Sequence, residues 1–259
     1  MDFYAIILAA GKGKRMRDEA APDEFPKVLR QVCGRPLISY VIDALRSAGI
    51  TDISIVVGFG ADYVRRAVGD GWRYILQGEQ LGSGHAVACA REALGGRSGS
   101  AIIMCGDSPL FTAATISSLA DRHAASGATI TLVSALLDDP TGYGRIERNA
   151  DGQIVGIVEE KCASDRQKAI REINGGAYAF DSEWLWKNIH RIERNEVGEL
   201  NLTDLVRVAV SQGRRLEAVA ADPQEVIGVN TPADLARVEE VLRLRGTVEP
   251  QSTIGERMP

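Results

Sequence analysis

Tyr4-Ala5-Ile6-Ile7-Leu8-Ala9-Ala10-Gly11-Lys12-Gly13-Lys14-Arg15-Met16 decides the class of this chain. The apolar run Tyr4–Ala9 reads as a buried strand that empties into a glycine-rich turn. Glycines in a strand-to-helix turn let backbone N–H groups approach phosphate oxygens, and Lys12 and Arg15 add positive charge. A plain βα turn has the same look, so the loop alone decides nothing about ligands. Two familiar phosphate loops do not fit. The spacing G-x-x-x-x-G-K-[ST] is absent, and Met16 stands where G-x-G-x-x-G needs its third glycine. A P-loop NTPase and a nicotinamide-binding Rossmann enzyme are therefore disfavoured.

Further short β-branched runs follow at Ile53–Val57, Ala101–Cys105 and Thr129–Ser134. Between the first two strands, Leu37, Ile38, Val41, Ile42 and Leu45 recur at helical spacing until Gly49. Ser83–Leu94 and Ala113–Ala125 are two more helical windows. This βαβα order predicts an α/β fold, a mainly parallel sheet with helices on both faces. The second half changes character. Arg145–Glu147, Ile154–Glu159 and Ile173–Phe180 read as strands of an antiparallel extension beside that sheet, with a turn at Asn149-Ala150-Asp151-Gly152. Helices at Ser182–Ile192 and Leu202–Ser211, a strand at Arg215–Val219 and a helix opening at Thr231-Pro232-Ala233-Asp234 complete the pattern. Residues 1–245 are expected to form one domain with a smaller lobe, and 246–259 a polar tail.

The 259 residues carry 30 basic and 35 acidic side chains, a net charge of -5 that argues against a nucleic-acid binder. With 45% hydrophobic residues the chain can bury a large core without staples. Cys33, Cys89, Cys105 and Cys162 form no C-x-x-C pair, and with His85, His123 and His190 they assemble no zinc spacing. They read as reduced thiols. Asp2 precedes an apolar run too short for a signal core, and nothing later approaches the ~20 apolar residues of a membrane span. A cytoplasmic protein without membrane partners is expected.

Downstream stand Phe25-Pro26-Lys27-Val28-Leu29, Gly34-Arg35-Pro36-Leu37, and Gln77-Gly78-Glu79-Gln80-Leu81-Gly82-Ser83-Gly84-His85. Gly106-Asp107-Ser108-Pro109-Leu110 follows at a strand end. Then come Tyr143-Gly144-Arg145, Val158-Glu159, Glu172-Ile173-Asn174-Gly175, Gly198-Glu199, Leu202-Thr203-Asp204 and Gly228-Val229-Asn230. In this order the fragments resemble the sugar-1-phosphate nucleotidyltransferase family. Within it they are most similar to the uridylyltransferase half of the bacterial bifunctional N-acetylglucosamine-1-phosphate uridylyltransferase/glucosamine-1-phosphate acetyltransferase. The resemblance covers about residues 4 to 240.

The resemblance implies a Rossmann-like nucleotide-diphospho-sugar transferase fold with an antiparallel sugar-binding lobe. It implies that UTP and a sugar 1-phosphate, N-acetylglucosamine 1-phosphate first of all, give a UDP-sugar and pyrophosphate. Such a cytoplasmic enzyme would serve nucleotide-sugar biosynthesis for the cell envelope, and a homo-oligomer is left open. Arg15 matches the arginine on the triphosphate, and Lys27 the lysine bridging nucleotide and sugar phosphates. Leu8, Ala9, Ala10, Gly11 and Gly13 match the nucleotide loop. Gln77 and Gln80 match the uracil-reading amides, beside Gly82 and Ser83. Asp107 and Asn230 match two Mg²⁺ ligands, and Gly144, Glu159 and Asn174 the sugar-binding positions.

The residues also admit plainer readings. Asp107 could cap a turn and Asn230 could precede a helix. His85 reads as a packing or hydrogen-bonding residue, His123 and His190 as surface or helix-face residues, and Lys161 and Lys168 as solvated spectators. The chain departs from the family pattern in four places. About five extra residues, including Ala20-Ala21-Pro22-Asp23-Glu24, stand between Arg15 and Lys27. Gly175 replaces a threonine, and Leu200-Asn201 an aromatic pair, both expected near the sugar. No six-residue repeat of a β-helix acetyltransferase domain is present. The alternatives are a sibling enzyme using another sugar 1-phosphate or NTP, and a silent paralogue that only binds nucleotide-sugars. A glycosyltransferase is disfavoured because no Asp-x-Asp motif occurs.

Overall fold

The computed structural model describes residues 2–13 and 25–246. The opening strand β1 (Phe3–Ala9) shows how the sheet is built. Tyr4 and Ile6 point into one apolar layer, while Ala5, Ile7 and Ala9 point into the other. A strand buried on both faces belongs in the middle of a sheet with helices on each side. Each fully buried aliphatic side chain adds about 1.5–3 kcal/mol of transfer free energy.

Beyond β1 come the short hairpin β2 (Gln31–Val32) and β3 (Arg35–Pro36), helix α1 (Leu37–Ser47) and strand β4 (Ile53–Val57). Helix α2 (Ala61–Val68), strand β5 (Arg73–Leu76), helices α3 (Ser83–Cys89) and α4 (Arg91–Leu94), and strand β6 (Ser100–Cys105) follow. Helix α5 (Ala113–Ser126), strands β7 (Ile130–Leu136), β8 (Arg145–Arg148) and β9 (Ile154–Val158), and the short α6 (Asp165–Lys168) lead to β10 (Glu172–Asp181). Helices α7 (Ser182–Asn188) and α8 (Asp204–Ser211), strand β11 (Leu216–Ala220) and helix α9 (Pro232–Leu244) close the described chain.

The main sheet runs β11-β7-β10-β6-β1-β4-β5. All these strands are parallel except β10, which is antiparallel to both β6 and β7. The expected α/β fold is present, with one difference in placement. Ile173–Phe180 does not lie beside the parallel sheet; it is the centre of β10, inside it. The reason is two-faced burial: Ile173, Ala177 and Ala179 enter one core layer, and Tyr178 and Phe180 the other. The antiparallel extension is the hairpin of β8 and β9, attached to β10 where Ile173 pairs with Arg145.

Three helical windows shorten for local reasons. The window Ser83–Leu94 splits at Ala90, whose N–H bonds the Val87 carbonyl at 2.9 Å, a tightened i→i+3 step. The window from Ser182 turns into a 3₁₀ turn over Ile189–Arg191. Helix α8 starts after Thr203, because the turn before it is tight: the Leu205 N–H bonds the Leu202 carbonyl and the Val206 N–H the Thr203 carbonyl, each at 3.1 Å. His123 sits on the buried face of α5 with Nδ1 2.9 Å from Thr131 Oγ1, and burial lowers its pKa. His190 is exposed.

The strand order reverses at β1: β4 and β5 lie to one side, and β6, the next strand in the chain, to the other. Loops leaving the carboxyl ends of β1 and β6 therefore part at this point and open a crevice. No helix among the described residues is long and apolar enough to cross a membrane.

Candidate active site

Loop 10–13 leaves β1 at this crevice, and Gly13 brings it against Lys27. Gly13 has φ 55°, and a Cβ there would lie 2.8 Å from Lys27 Cβ. Only glycine allows both the left-handed backbone and the contact. Lys27 heads a 3₁₀ turn, Lys27–Leu29, whose next two side chains, Val28 and Leu29, are buried anchors. The Lys27 ammonium ion-pairs with the Asp107 carboxylate and donates to Asn230 Oδ1 at 3.1 Å.

Asp107 and Asn230 reach the same cation because their loops are tied together. Gly106 N–H bonds the Leu8 carbonyl at 2.9 Å, fixing the end of β6 against β1. Val229 N–H bonds the Asp107 carbonyl at 3.0 Å. Asn230 is in turn fixed by the capping box of α9, where Asp234 Oδ2 accepts from the N–H groups of Asn230 and Thr231. Asn230 thus does precede a helix, and its side chain still turns to Lys27. The pair Asp107/Asn230 offers two hard oxygen donors to one cationic point. Among the described residues no group of three or more His, Cys, Asp or Glu forms a metal cage.

On the β4–β5 side, Gln77 is buried, its N–H bonding the Val57 carbonyl at 2.7 Å. Its Nε2 donates to the Gly82 carbonyl at 3.1 Å and lies 3.1 Å from His85 Nδ1. Gln80 Nε2 donates to the Gln77 carbonyl at 3.1 Å. His85 is therefore a hydrogen-bonding residue of this loop, as expected. Sequence reasoning missed Gly58. A Cβ there would lie 2.9 Å from Ala10 Cβ, the Gln77 backbone carbonyl and Gln80 Nε2, so the bond between that amide and that carbonyl needs this glycine. The signal was available in Val56-Val57-Gly58-Phe59-Gly60, glycines at a strand end. Gly82 and Ser83 open α3, where a Cβ on Gly82 would come within 2.5 Å of the Leu200 carbonyl.

On the other side of the crevice Gly144, Glu159 and Asn174 come together. Asn174 N–H bonds the Gly144 carbonyl at 2.8 Å. A Cβ at Gly144 would lie 3.4 Å from Glu159 Oε2 and 3.6 Å from Asn174 Cβ. Asn174 Nδ2 donates to the Tyr178 hydroxyl at 2.6 Å, and Thr203 Oγ1 donates to Glu159 Oε1 at 2.8 Å. Burial pushes the Glu159 carboxyl above its ordinary range, the Thr203 hydroxyl works against that, and Asp204 and Glu199 add to it. Burial pushes the Cys105 thiol up to about 12, with Asp107 adding and Lys27 opposing. Arg145 is buried beneath this wall, ion-paired with Glu160 at 2.7 Å.

The charged point, the amide loop and the carboxylate wall thus surround one crevice. A family model for nucleotidyl transferases matches residues 4–243, nearly the whole chain. The chain belongs to the nucleotidyl transferase family. The bifunctional protein GlmU of Trichlorobacter lovleyi is 47% identical over 245 residues, 93% of this chain and 52% of that protein. The GlmU of Exiguobacterium sibiricum is 42% identical over 247 residues, 95% of this chain and 54% of that protein. The chain therefore spans about half the length of the curated relatives it matches. A putative glucose-1-phosphate thymidylyltransferase from Bacillus anthracis, solved with sucrose, superposes with a TM-score of 0.77 over 98% of both chains at 20% identity. That likeness concerns the fold.

For this nucleotidyl transferase, most of the expected site residues meet around the crevice. Leu8 and Ala9 end β1, and Ala10, Gly11 and Gly13 line the loop after it. Arg15, the insertion Ala20–Glu24 and the tail beyond Gly246 lie outside the described residues. The two departures expected near the sugar act differently. A Cβ on Gly175 would meet the Val133 carbonyl and Val226 Cγ1, each at 3.0 Å, so that position faces β7 packing. Leu200 works through its backbone, bonding Leu81 and Gly84 at 2.7 and 2.8 Å. The four cysteines are unpaired.

Proposed function

We propose that the chain transfers a uridylyl group from UTP to a sugar 1-phosphate, N-acetylglucosamine 1-phosphate first, releasing pyrophosphate. The observation that carries this reading is the convergence of Lys27, Asp107 and Asn230 between the Gln77/Gln80 loop and the Gly144/Glu159/Asn174 wall. Two anionic substrates need a cation at their junction, and the two walls suit a base on one side and a polyhydroxyl group on the other. The family and the GlmU relatives support the same reaction class.

In the reaction an anionic oxygen of the sugar phosphate attacks the α-phosphorus of UTP in line. The new P–O bond forms as the α–β bridging bond breaks, and pyrophosphate leaves with that electron pair. The nucleophile is ionised near neutral pH, so no general base is required. The protein's task is to hold two repelling anions together and neutralise developing charge. Lys27 does this at the junction, and Arg15 is proposed to do it on the triphosphate. Gln77 and Gln80 are proposed to read the uracil edge, since amides both donate and accept.

Mg²⁺ is the proposed cofactor. Asp107 and Asn230 would hold it, because their oxygens already meet at one cationic point. When bound it would supply further charge neutralisation at the phosphates. Pyrophosphate release measured over a grid of nucleoside triphosphates and sugar 1-phosphates tests the proposal. Highest turnover with UTP and N-acetylglucosamine 1-phosphate is expected; no turnover with any pair would favour a nucleotide-sugar sensor instead.

A further inference from the structure

We propose that Thr203 is a positioning residue for substrate binding, its hydroxyl holding the Glu159 carboxylate aligned toward the crevice. The inference rests on the reading of Glu159 as a sugar-side group. Thr203 is buried and occupies the N-cap of α8, where a threonine hydroxyl ordinarily accepts a backbone N–H. Here it makes no such cap, and its backbone is helical at φ -60°, ψ -23°. The hydroxyl goes instead to Glu159 Oε1 at 2.8 Å. One carboxylate oxygen is thereby committed to the protein. The other, Oε2, stands beside Gly144, where the missing side chain leaves the approach open.

The hydroxyl is delivered by a strap whose position is set from the other wall of the crevice. Leu200 N–H bonds the Leu81 carbonyl at 2.7 Å, Gly84 N–H bonds the Leu200 carbonyl at 2.8 Å, and Leu202 N–H bonds Ser83 Oγ at 3.0 Å. Gly82 and Gly84 admit this approach, since a Cβ on either would fall within 2.5 and 3.0 Å of the Leu200 carbonyl. Residues 200–203 therefore link the amide loop to the carboxylate.

The groups facing Glu159 give the hydroxyl a second effect. Asp204 and Glu199 on the strap side push the carboxyl toward its neutral form, as does burial, and Lys161 opposes them. Tyr178 on β10 and Cys105 on β6 face it from the sheet. A donor to the carboxylate favours the ionised form, which alone accepts hydrogen bonds through both oxygens. Removing it leaves nothing but Lys161 to resist protonation among these neighbours.

The test is steady-state kinetics against pH with N-acetylglucosamine 1-phosphate and UTP. Thr203→Val should raise KM for the sugar phosphate about tenfold, the size of one charge-assisted hydrogen bond. It should leave KM for UTP unchanged and move the acid limb of kcat/KM to higher pH. Thr203→Ser should restore both, because it keeps the hydroxyl. If Thr203→Val does not fold, Thr203→Ser against Thr203→Ala makes the same comparison. Wild-type KM and acid limb in the valine variant, or equal impairment of the serine and alanine variants, would overturn the proposal. Glu159→Gln separates it from the reading beneath it. If Glu159→Gln raises KM and Thr203→Val does not, positioning by Thr203 alone is wrong. If Glu159→Gln leaves KM unchanged, Glu159 does not bind the sugar side and both fall.

Discussion

The Lys27 ammonium donates to Asn230 Oδ1 across 3.1 Å, joining residues 203 positions apart in the chain. The Asp107 carboxylate shares the same ammonium. A cation held by two loops, one after β6 and one before α9, that are tied to each other by the Val229 N–H and the Asp107 carbonyl suits the meeting of two phosphates. The ends of β1 and β6, the 3₁₀ turn of Lys27 and the cap of α9 all contribute to that one point.

Replacing Lys27 by alanine should lower turnover by about 10²-fold or more, the usual cost of removing one electrostatic stabiliser of a transition state. Circular dichroism should remain that of the wild type, because the turn is anchored by Val28 and Leu29. Unchanged turnover would take Lys27 out of the catalytic set.

Asp107→Ala and Asn230→Ala should each raise the Mg²⁺ concentration needed for half-maximal rate, or abolish activity. Mg²⁺ titrations of initial rate would measure this. Full wild-type activity in excess chelator would rule out the proposed ligand pair.

Glu159→Gln should stabilise the protein while impairing it. The glutamine still accepts from Thr203 but carries no buried charge beside Asp204 and Glu199. A raised carboxyl pKa means the folded state binds the proton more tightly than the unfolded chain. Wild-type stability then falls as pH rises through that window, whereas the variant has no such loss. Thermal melts should show the glutamine variant higher at neutral pH, with the gap closing below the ordinary carboxylate range. A gap that widens on acidification would show the sign to be wrong.

Much of this was legible before the fold was known, because the signals were local. Strands β1, β4, β6 and β7 are short β-branched runs, and the cap of α9 is written in Thr231-Pro232-Ala233-Asp234. Helix α2 and strand β5 carry no such local signal. Val64 is the one buried side chain on α2 and Ile75 the one on β5, so neither shows a wide apolar stripe. The placement of β10 within the sheet was also beyond the pattern, since alternation reports burial and not neighbours. Lys27, Asp107 and Asn230 were found through a family likeness. Gly58, Tyr178 and Thr203 acquire their roles only through contacts made in three dimensions.

Gly58→Ala should weaken nucleotide binding without unfolding the chain. Its new Cβ would press on Ala10 and on the carbonyl and amide of the Gln77–Gln80 loop at 2.9 Å. KM for UTP should rise about tenfold, for the loss of roughly one aligned hydrogen bond, and KM for the sugar phosphate should not. Equal rises in both would mean general disruption.

Base choice follows from the same loop. Uracil and cytosine differ in donor and acceptor at one edge, and a buried unpaired polar group costs about 1–3 kcal/mol. UTP should exceed CTP by roughly 10- to 100-fold in kcat/KM, and Gln80→Ala should narrow that ratio. Equal use of CTP or a purine triphosphate would reject the uridine assignment.

The most direct measurement follows the phosphorus atoms of UTP labelled at the α-position, incubated with N-acetylglucosamine 1-phosphate, Mg²⁺ and the protein. The α-label is expected to pass entirely into the UDP-sugar, with one unlabelled pyrophosphate released per product, and Lys27→Ala is expected to suppress both together. Label appearing in free UMP, or formation of labelled UDP-sugar at the wild-type rate by Lys27→Ala, would contradict it.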